Sequence, residues 1–141
     1  MTLAGNLLWF VLAGLWLAVC YVIAGIATCL TIVGIPFGVQ AFKLGGYALW
    51  PFGRVVVERT GGEEALGCVG NVLWIVLGGW WLALLHLVLA LVFFVTIIGI
   101  PFGIVSFRMA ALALWPFGKI VVPQDMVPPG YVVVVGPVGQ R

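Results

Sequence analysis

Charge is what this sequence has least of. Asp, Glu, Lys and Arg make up only 7% of its 141 residues, whereas 65% are hydrophobic and the mean hydropathy is +1.30. A typical soluble domain is about one quarter charged and about half apolar. A water-soluble fold of this length could not cover its surface with so few charges, so the composition indicates an integral membrane protein.

The few charges and cysteines exclude further classes. Six basic and four acidic residues give a net charge of +2, which is too little for nucleic-acid binding. No Asp or Glu lies within an apolar segment, which disfavours a proton-coupled transporter. The three cysteines lack metal-binding spacing, and no nucleophile–base pair or phosphate-binding loop occurs. We therefore expect no enzymatic activity, no metal and no cofactor.

The chain is built from two copies of one unit. Residues 6–57 align with residues 71–122 without a gap, at a constant offset of 65. The octapeptide TIVGIPFG at residues 31–38 returns as TIIGIPFG at residues 96–103. Duplicated halves are common in membrane transport folds, so we interpret the match as an internal duplication.

We predict an all-α integral membrane protein with four parts. Each repeat should hold a long transmembrane helix, a GIPFG corner and a short second helix. Within the tail, Tyr131–Val135 has the composition of a short strand. The predicted parts are a first membrane repeat over residues 1–60, a polar connecting loop over 61–70, a second repeat over 71–122 and an extramembrane tail over 123–141.

One apolar run in each repeat is long enough to cross a bilayer. Residues 7–35 contain no charge and no proline before the corner, which gives about 43 Å of helix against a hydrocarbon core of about 30 Å. Asn6 and Asn71 stand where a helix N-cap is expected. Four tryptophans are expected as interfacial anchors: Trp9, Trp50, Trp74 and Trp115.

A proline between two glycines ends each long run. Proline disfavours helix in the preceding residue and suits the first turn of a new helix, and glycine permits backbone angles closed to other residues. The spacing also matches the GxxxG packing pattern, but a central proline would break the helix that this motif requires. We therefore interpret six residues as helix corners: Gly34, Pro36, Gly38, Gly99, Pro101 and Gly103.

Each predicted short helix, over residues 37–50 and 102–115, carries one cation. Lys43 and Arg108 are equivalent, and an ionisable residue at membrane depth is a functional-site hypothesis. With two helix N-termini they would form an anion site or pore; alternatively, both snorkel to lipid headgroups. Two further polar residues belong to this candidate site: Gln40, on the same helix face as Lys43, and His86, for which hydrogen bonding inside the bundle is the competing interpretation.

The short helix leaves the number of membrane crossings open. It is about 21 Å long, less than a full span, so it spans minimally, re-enters or lies along the surface. All six basic residues follow a GIPFG corner. Parallel halves with four crossings would place these residues and both termini in the cytoplasm, as the positive-inside rule favours. The alternative is two long helices in opposite directions with short re-entrant or interfacial helices.

Three motifs of the second half carry a family resemblance. NxLWxxxGGWWLAxxH at residues 71–86, TIIGIPFGxxxF at 96–107 and ALWPFGK at 113–119 resemble the YccF family of bacterial inner-membrane proteins. The first half departs from the pattern, because Leu15 and Tyr21 stand in place of Trp80 and His86. The resemblance implies a multi-pass inner-membrane protein and supplies no settled biochemical activity.

Two functional hypotheses follow from these residues. The first is a passive channel or transport-related protein, formed by a homo-oligomer and preferring anions. The alternative is a non-transporting scaffold or accessory subunit that binds partners or lipids. The expected partners are the lipid bilayer, further copies of the chain and small ions, without nucleic acid.

Overall fold

The computed structural model describes residues 2–61 and 65–137. The chain divides into two compact units, Met1–Arg54 and Val55–Arg141, and each unit contains one long and one short helix. The second unit also contains a small sheet. Both long helices have the length and apolar composition needed to cross a bilayer, with 27 and 28 residues.

The first unit is a helical hairpin. Trp9, near the start of the long helix, contacts Ala48 near the end of the short helix, so the two helices are antiparallel. A π-helical turn after Trp9 accommodates the indole, which fills the space where a Cβ atom of Gly14 would lie. The helical segments are α1 (Thr2–Trp9), the π turn (Phe10–Gly14), α2 (Leu15–Cys29) and the short helix α3 (Ile35–Leu49).

The second unit repeats this hairpin. From the end of α1 onwards, every helix boundary of the first hairpin recurs 65 residues later. The predicted internal duplication is therefore confirmed. The segments are α4 (Ala65–Trp74), a π turn (Ile75–Gly79), α5 (Trp80–Phe94) and the short helix α6 (Ile100–Leu114).

A three-stranded sheet corrects the all-α prediction. The strands are β1 (Arg54–Arg59), β2 (Lys119–Pro123) and β3 (Tyr131–Val135), in the order β2-β1-β3. The strand expected in the tail is present as β3, and it pairs antiparallel with β1. The valine-rich sequences of β1 and β2 directly follow the WPFG corners, and β-branched residues favour strands once the helix has ended. The sequence interpretation had included both segments in the membrane repeats.

The polar connection between the repeats is shorter than predicted. Helix α4 begins at Ala65, inside the span of residues 61–70 that was expected to be a loop. Residues 62–64 lie outside the described residues, as do residues 138–141 at the end of the predicted tail. The described part of the tail contributes β3 to the sheet.

The corner glycines provide space rather than unusual backbone angles. Gly34 has φ −79°, in the ordinary right-handed region, so the prediction of special angles is wrong there. A Cβ atom at Gly34 would overlap the carbonyl oxygen of Thr28, and one at Gly38 would overlap the Cys29 sulfur. Close packing through small residues is therefore present. The proline does not prevent it, because Pro36 lies in the first turn of α3, where it removes no intrahelical hydrogen bond.

Candidate functional site

An asparagine and a tryptophan of the first long helix hold the end of its short helix. Asn6 Nδ2 donates to the Phe52 carbonyl oxygen at 2.9 Å, and Asn6 Oδ1 accepts from the Phe52 N–H at 3.0 Å. Trp9 Nε1 donates to the Ala48 carbonyl oxygen at 2.6 Å, in the last turn of α3. Carbonyl groups in that turn have no partner within their own helix. We call Asn6 and Trp9 the first Asn–Trp clasp.

The second hairpin contains an equivalent clasp. Asn71 Nδ2 donates to the Phe117 carbonyl oxygen at 3.3 Å, and its Oδ1 accepts from the Phe117 N–H at 2.9 Å. Trp74 Nε1 donates to the Ala113 carbonyl oxygen at 2.7 Å. Asparagine and tryptophan three residues apart share one helix face. Gly118, which follows Phe117, has φ +82°, a conformation that favours glycine at the corner.

The clasp residues occupy positions that differ from the sequence expectations. Asn6 and Asn71 lie inside helices rather than at N-caps. Trp9 is 0% exposed and Trp74 is 3% exposed, so their indole rings face the hairpin interiors instead of a membrane interface. The other two expected anchors, Trp50 and Trp115, are half-buried at the C-terminal ends of α3 and α6. The signal for the clasps was in the sequence, because the Asn-x-x-Trp spacing recurs with the WPFG corner.

The corner residues position the short helices and supply no ligand groups. Pro36 and Pro101 lie in the first turns of α3 and α6. A Cβ atom at Gly103 would lie 2.6 Å from the Phe94 ring and 3.1 Å from the Ala90 carbonyl oxygen. The repeated GIPFG sequence therefore serves close contact between the two helices of each hairpin.

Arg108 is bound to the end of the tail strand. Its Nη1 donates to the Gly136 carbonyl oxygen at 3.0 Å, and the residue is half-buried. Beside it lies an open cavity of about 290 Å³. The cavity is lined by α6 and by the end of β3, through Phe107, Arg108, Ala111, Val134, Val135 and Gly136. The sequence singled out this cation as a candidate but gave no sign of its contact with the tail.

The other candidate polar residues lie on α3 and α5. Lys43 and Gln40 are half-buried on α3, in the first unit. His86 is 0% exposed and faces the interior of the α5–α6 hairpin, as does Ser106. Neither lines the cavity at Arg108. Within the second unit, the structure thus does not bring His86, the other predicted site residue there, to the cavity at Arg108.

The geometry can position a cation beside an apolar surface. Among residues 2–61 and 65–137, no group of three His, Cys, Asp or Glu side chains is arranged to hold a metal ion. The expectation that the protein works without a metal or cofactor stays a prediction.

Two tandem apolar hairpins, each with its open end held by an Asn–Trp clasp, define the class as a tandem helical-hairpin protein. The YccF family, described as an inner membrane component domain, matches the chain twice, at residues 4–54 and 69–119. Together these ranges cover most of the sequence. The chain therefore belongs to the YccF inner membrane component family.

Curated relatives agree with this assignment. Proteins named inner membrane protein YccF from Escherichia coli (strain K12) and Shigella flexneri are each 33% identical to the chain over 125 residues, covering 83% of this chain and 84% of each relative. No solved structure matches the chain. The family resemblance read from the motifs is confirmed, as is the tandem repeat.

Proposed function

We propose that this protein is a non-transporting structural component of the bacterial inner membrane. In this proposal, the two helical hairpins enter the bilayer with their closed ends, residues 30–36 and 95–101, which we call the tips. Both tips end within the hydrocarbon. The tips carry the proposal, because they expose large aliphatic side chains to an extent that water disfavours. Six such side chains are at least 78% exposed: Leu30, Ile32, Val33, Val95, Ile97 and Ile98.

The turn at each tip forms hydrogen bonds within itself. Thr31 Oγ1 donates to the Thr28 carbonyl oxygen at 3.3 Å and accepts from the Gly34 N–H at 3.1 Å. Thr96 makes the same two contacts in the second tip, at 3.3 and 3.1 Å. Polar groups of the backbone need internal partners in hydrocarbon. A turn that binds its own polar groups and points aliphatic side chains outwards suits lipid.

The lengths of the short helices favour re-entry over full crossing. Each short helix has 15 residues, or about 22 Å, against about 30 Å of hydrocarbon. No Trp, Tyr, Lys or Arg lies within residues 30–36 or 95–101 to anchor a tip in a second interface. We therefore propose that each hairpin enters and leaves at one face of the membrane, in place of two complete crossings.

Charge favours the cytoplasmic face for the open ends of the hairpins. All six basic residues follow a GIPFG corner, and several lie in the segments that leave each hairpin, including Arg54, Arg59 and Lys119. The positive-inside rule then places both termini and the small sheet in the cytoplasm.

Cysteine labelling tests this topology. In a cysteine-free background, Ile97→Cys would report the second tip and Asp125→Cys the exposed tail. We expect a membrane-impermeant maleimide to label Asp125→Cys in inverted vesicles and to label Ile97→Cys from neither side. Both variants should react after solubilisation in SDS, which controls for reactivity. Labelling of Ile97→Cys in spheroplasts would show that the hairpin crosses completely and would overturn re-entry.

An oligomeric channel that prefers anions is the second candidate, and the open cavity beside Arg108 is the observation that favours it. The scaffold is preferred because the contact with the Gly136 carbonyl holds Arg108 against the tail, which suits a fixed binding site better than a conducting path. We expect no anion flux when the purified protein is reconstituted in liposomes. Flux that disappears in the double variant Lys43→Ala, Arg108→Ala would establish the channel and refute the scaffold.

A further inference from the structure

Arg108 is a half-buried cation, and the described part of the chain places no acidic side chain next to it. Within the described ranges, no carboxylate lies within 4.0 Å of its guanidinium, whereas Lys119 Nζ lies 3.9 Å from Glu58 Oε2. The Gly136 carbonyl supplies a dipole but no negative charge. A cation close to hydrocarbon is costly unless an anion or water compensates it, so the surroundings of Arg108 favour an anionic ligand.

The guanidinium retains capacity to bind one. It has five N–H donors in a planar fork that matches phosphate, and its contact with Gly136 occupies Nη1. The adjacent cavity of about 290 Å³ is open to the outside, and its volume is near the lower limit of small-ligand pockets, about 300 Å³. A phosphate group could therefore reach the remaining donors.

The position of Arg108 points to a lipid as the source of that phosphate. Arg108 lies eight residues after Ile100, the first residue of α6, so about 12 Å of helix separates it from the tip. Phe107, which lines the same cavity, is 59% exposed, and Ile100 is 42% exposed. A ligand at this site would meet the cation with its anionic end and an apolar helix surface with the rest of the molecule.

We propose that Arg108 binds the phosphate of an anionic phospholipid in the cavity between α6 and the end of β3. The proposal rests on the proposed insertion of the hairpins, because it requires Arg108 to stand at the membrane boundary. An anionic lipid is preferred to a zwitterionic one, since the zwitterion carries its own cation beside the phosphate and gains less from Arg108.

Lipid titration of the purified full-length protein in neutral detergent tests the site. Phosphatidylglycerol, phosphatidylcholine and inorganic phosphate are compared by the shift each causes in the thermal unfolding temperature. We expect phosphatidylglycerol to stabilise the wild type most. Arg108→Gln should raise the phosphatidylglycerol concentration that gives half of the shift by at least about tenfold, as expected for the loss of a charged hydrogen bond. Arg59→Gln, which removes an equal charge from an exposed residue, should leave that concentration unchanged.

A lysine variant and the comparison with inorganic phosphate complete the test. Arg108→Lys keeps the charge but not the fork, so we expect intermediate affinity, and it replaces the glutamine variant if that variant does not fold. Equal stabilisation by inorganic phosphate would assign the site to free phosphate and overturn the lipid. Equal responses of the Arg108 and Arg59 variants would refute the site, while tip labelling of the same variants tests insertion separately.

Discussion

Two adjacent glycines in α3 give the sharpest test of the hairpin packing. A Cβ atom added at Gly45 would lie 3.0 Å from Tyr21 Cβ in the long helix, whereas one added at Gly46 would meet nothing within 4 Å. Replacing a helical glycine by alanine stabilises the helix by about 1 kcal/mol. At Gly46 this gain should appear almost in full, because the new methyl group contacts no other atom.

At Gly45 the same gain is opposed by overpacking. Tyr21 Cβ is fixed to its backbone and cannot rotate away, so the helices must separate, at a cost of about 1–3 kcal/mol. The helix-propensity terms cancel between the two variants. We therefore expect Gly45→Ala to be less stable than Gly46→Ala by about 1–3 kcal/mol, although the mutations are neighbours of identical chemistry.

Unfolding in mixed micelles by increasing SDS, followed by far-UV circular dichroism, measures this difference. The second repeat has alanine at both equivalent positions, Ala110 and Ala111. By analogy with that repeat alone, Gly45→Ala and Gly46→Ala would be equally stabilising, which is the opposite of our prediction. If Gly45→Ala stabilises the protein as much as Gly46→Ala, the close contact with Tyr21 does not limit the packing and the reasoning fails.

The second clasp yields two further predictions. Asn71→Ala removes both hydrogen bonds to Phe117 and should cost about 2–4 kcal/mol in the same unfolding assay. Val72→Ala, at the exposed neighbouring position, is its control, and equal effects of the two would contradict the clasp. Trp74→Phe keeps an aromatic ring but loses the bond to the Ala113 carbonyl. It should cost about 1–3 kcal/mol, and an unchanged midpoint would show that this bond contributes nothing.

The features of the fold that depend on local chemistry could be predicted from the sequence. The hairpins follow from apolar runs interrupted by proline, and their duplication follows from the constant offset. The recurring Asn-x-x-Trp spacing marked Trp9, but its partner could not be predicted, because Ala48 is 39 residues away in the sequence. The sheet was missed for the same reason, since the paired residues of β1 and β3 are 72 to 79 residues apart in the chain.

The candidate site shows the same division. An isolated cation in an apolar helix is visible in the sequence, and so is the equivalence of Lys43 and Arg108. What Arg108 contacts depends on where β3 lies, and that is set by pairing with β1. Sequence reasoning therefore identified the charge and left an anion site or pore and snorkelling to lipid headgroups as alternatives, whereas the structure places it against the carbonyl of Gly136.

The differences between the two repeats indicate where a function beyond anchoring would lie. Clasps, corners and apolar tips occur in both hairpins, so they account for folding and for the insertion proposed above. His86 and Ser106 stand where the first repeat has Tyr21 and Ala41, and all four are buried. The tail that completes the cavity at Arg108 follows only the second repeat in the sequence. A duplicated anchor needs no such divergence, so the contacts that the first repeat lacks, including the lipid site proposed at Arg108, lie in the second unit.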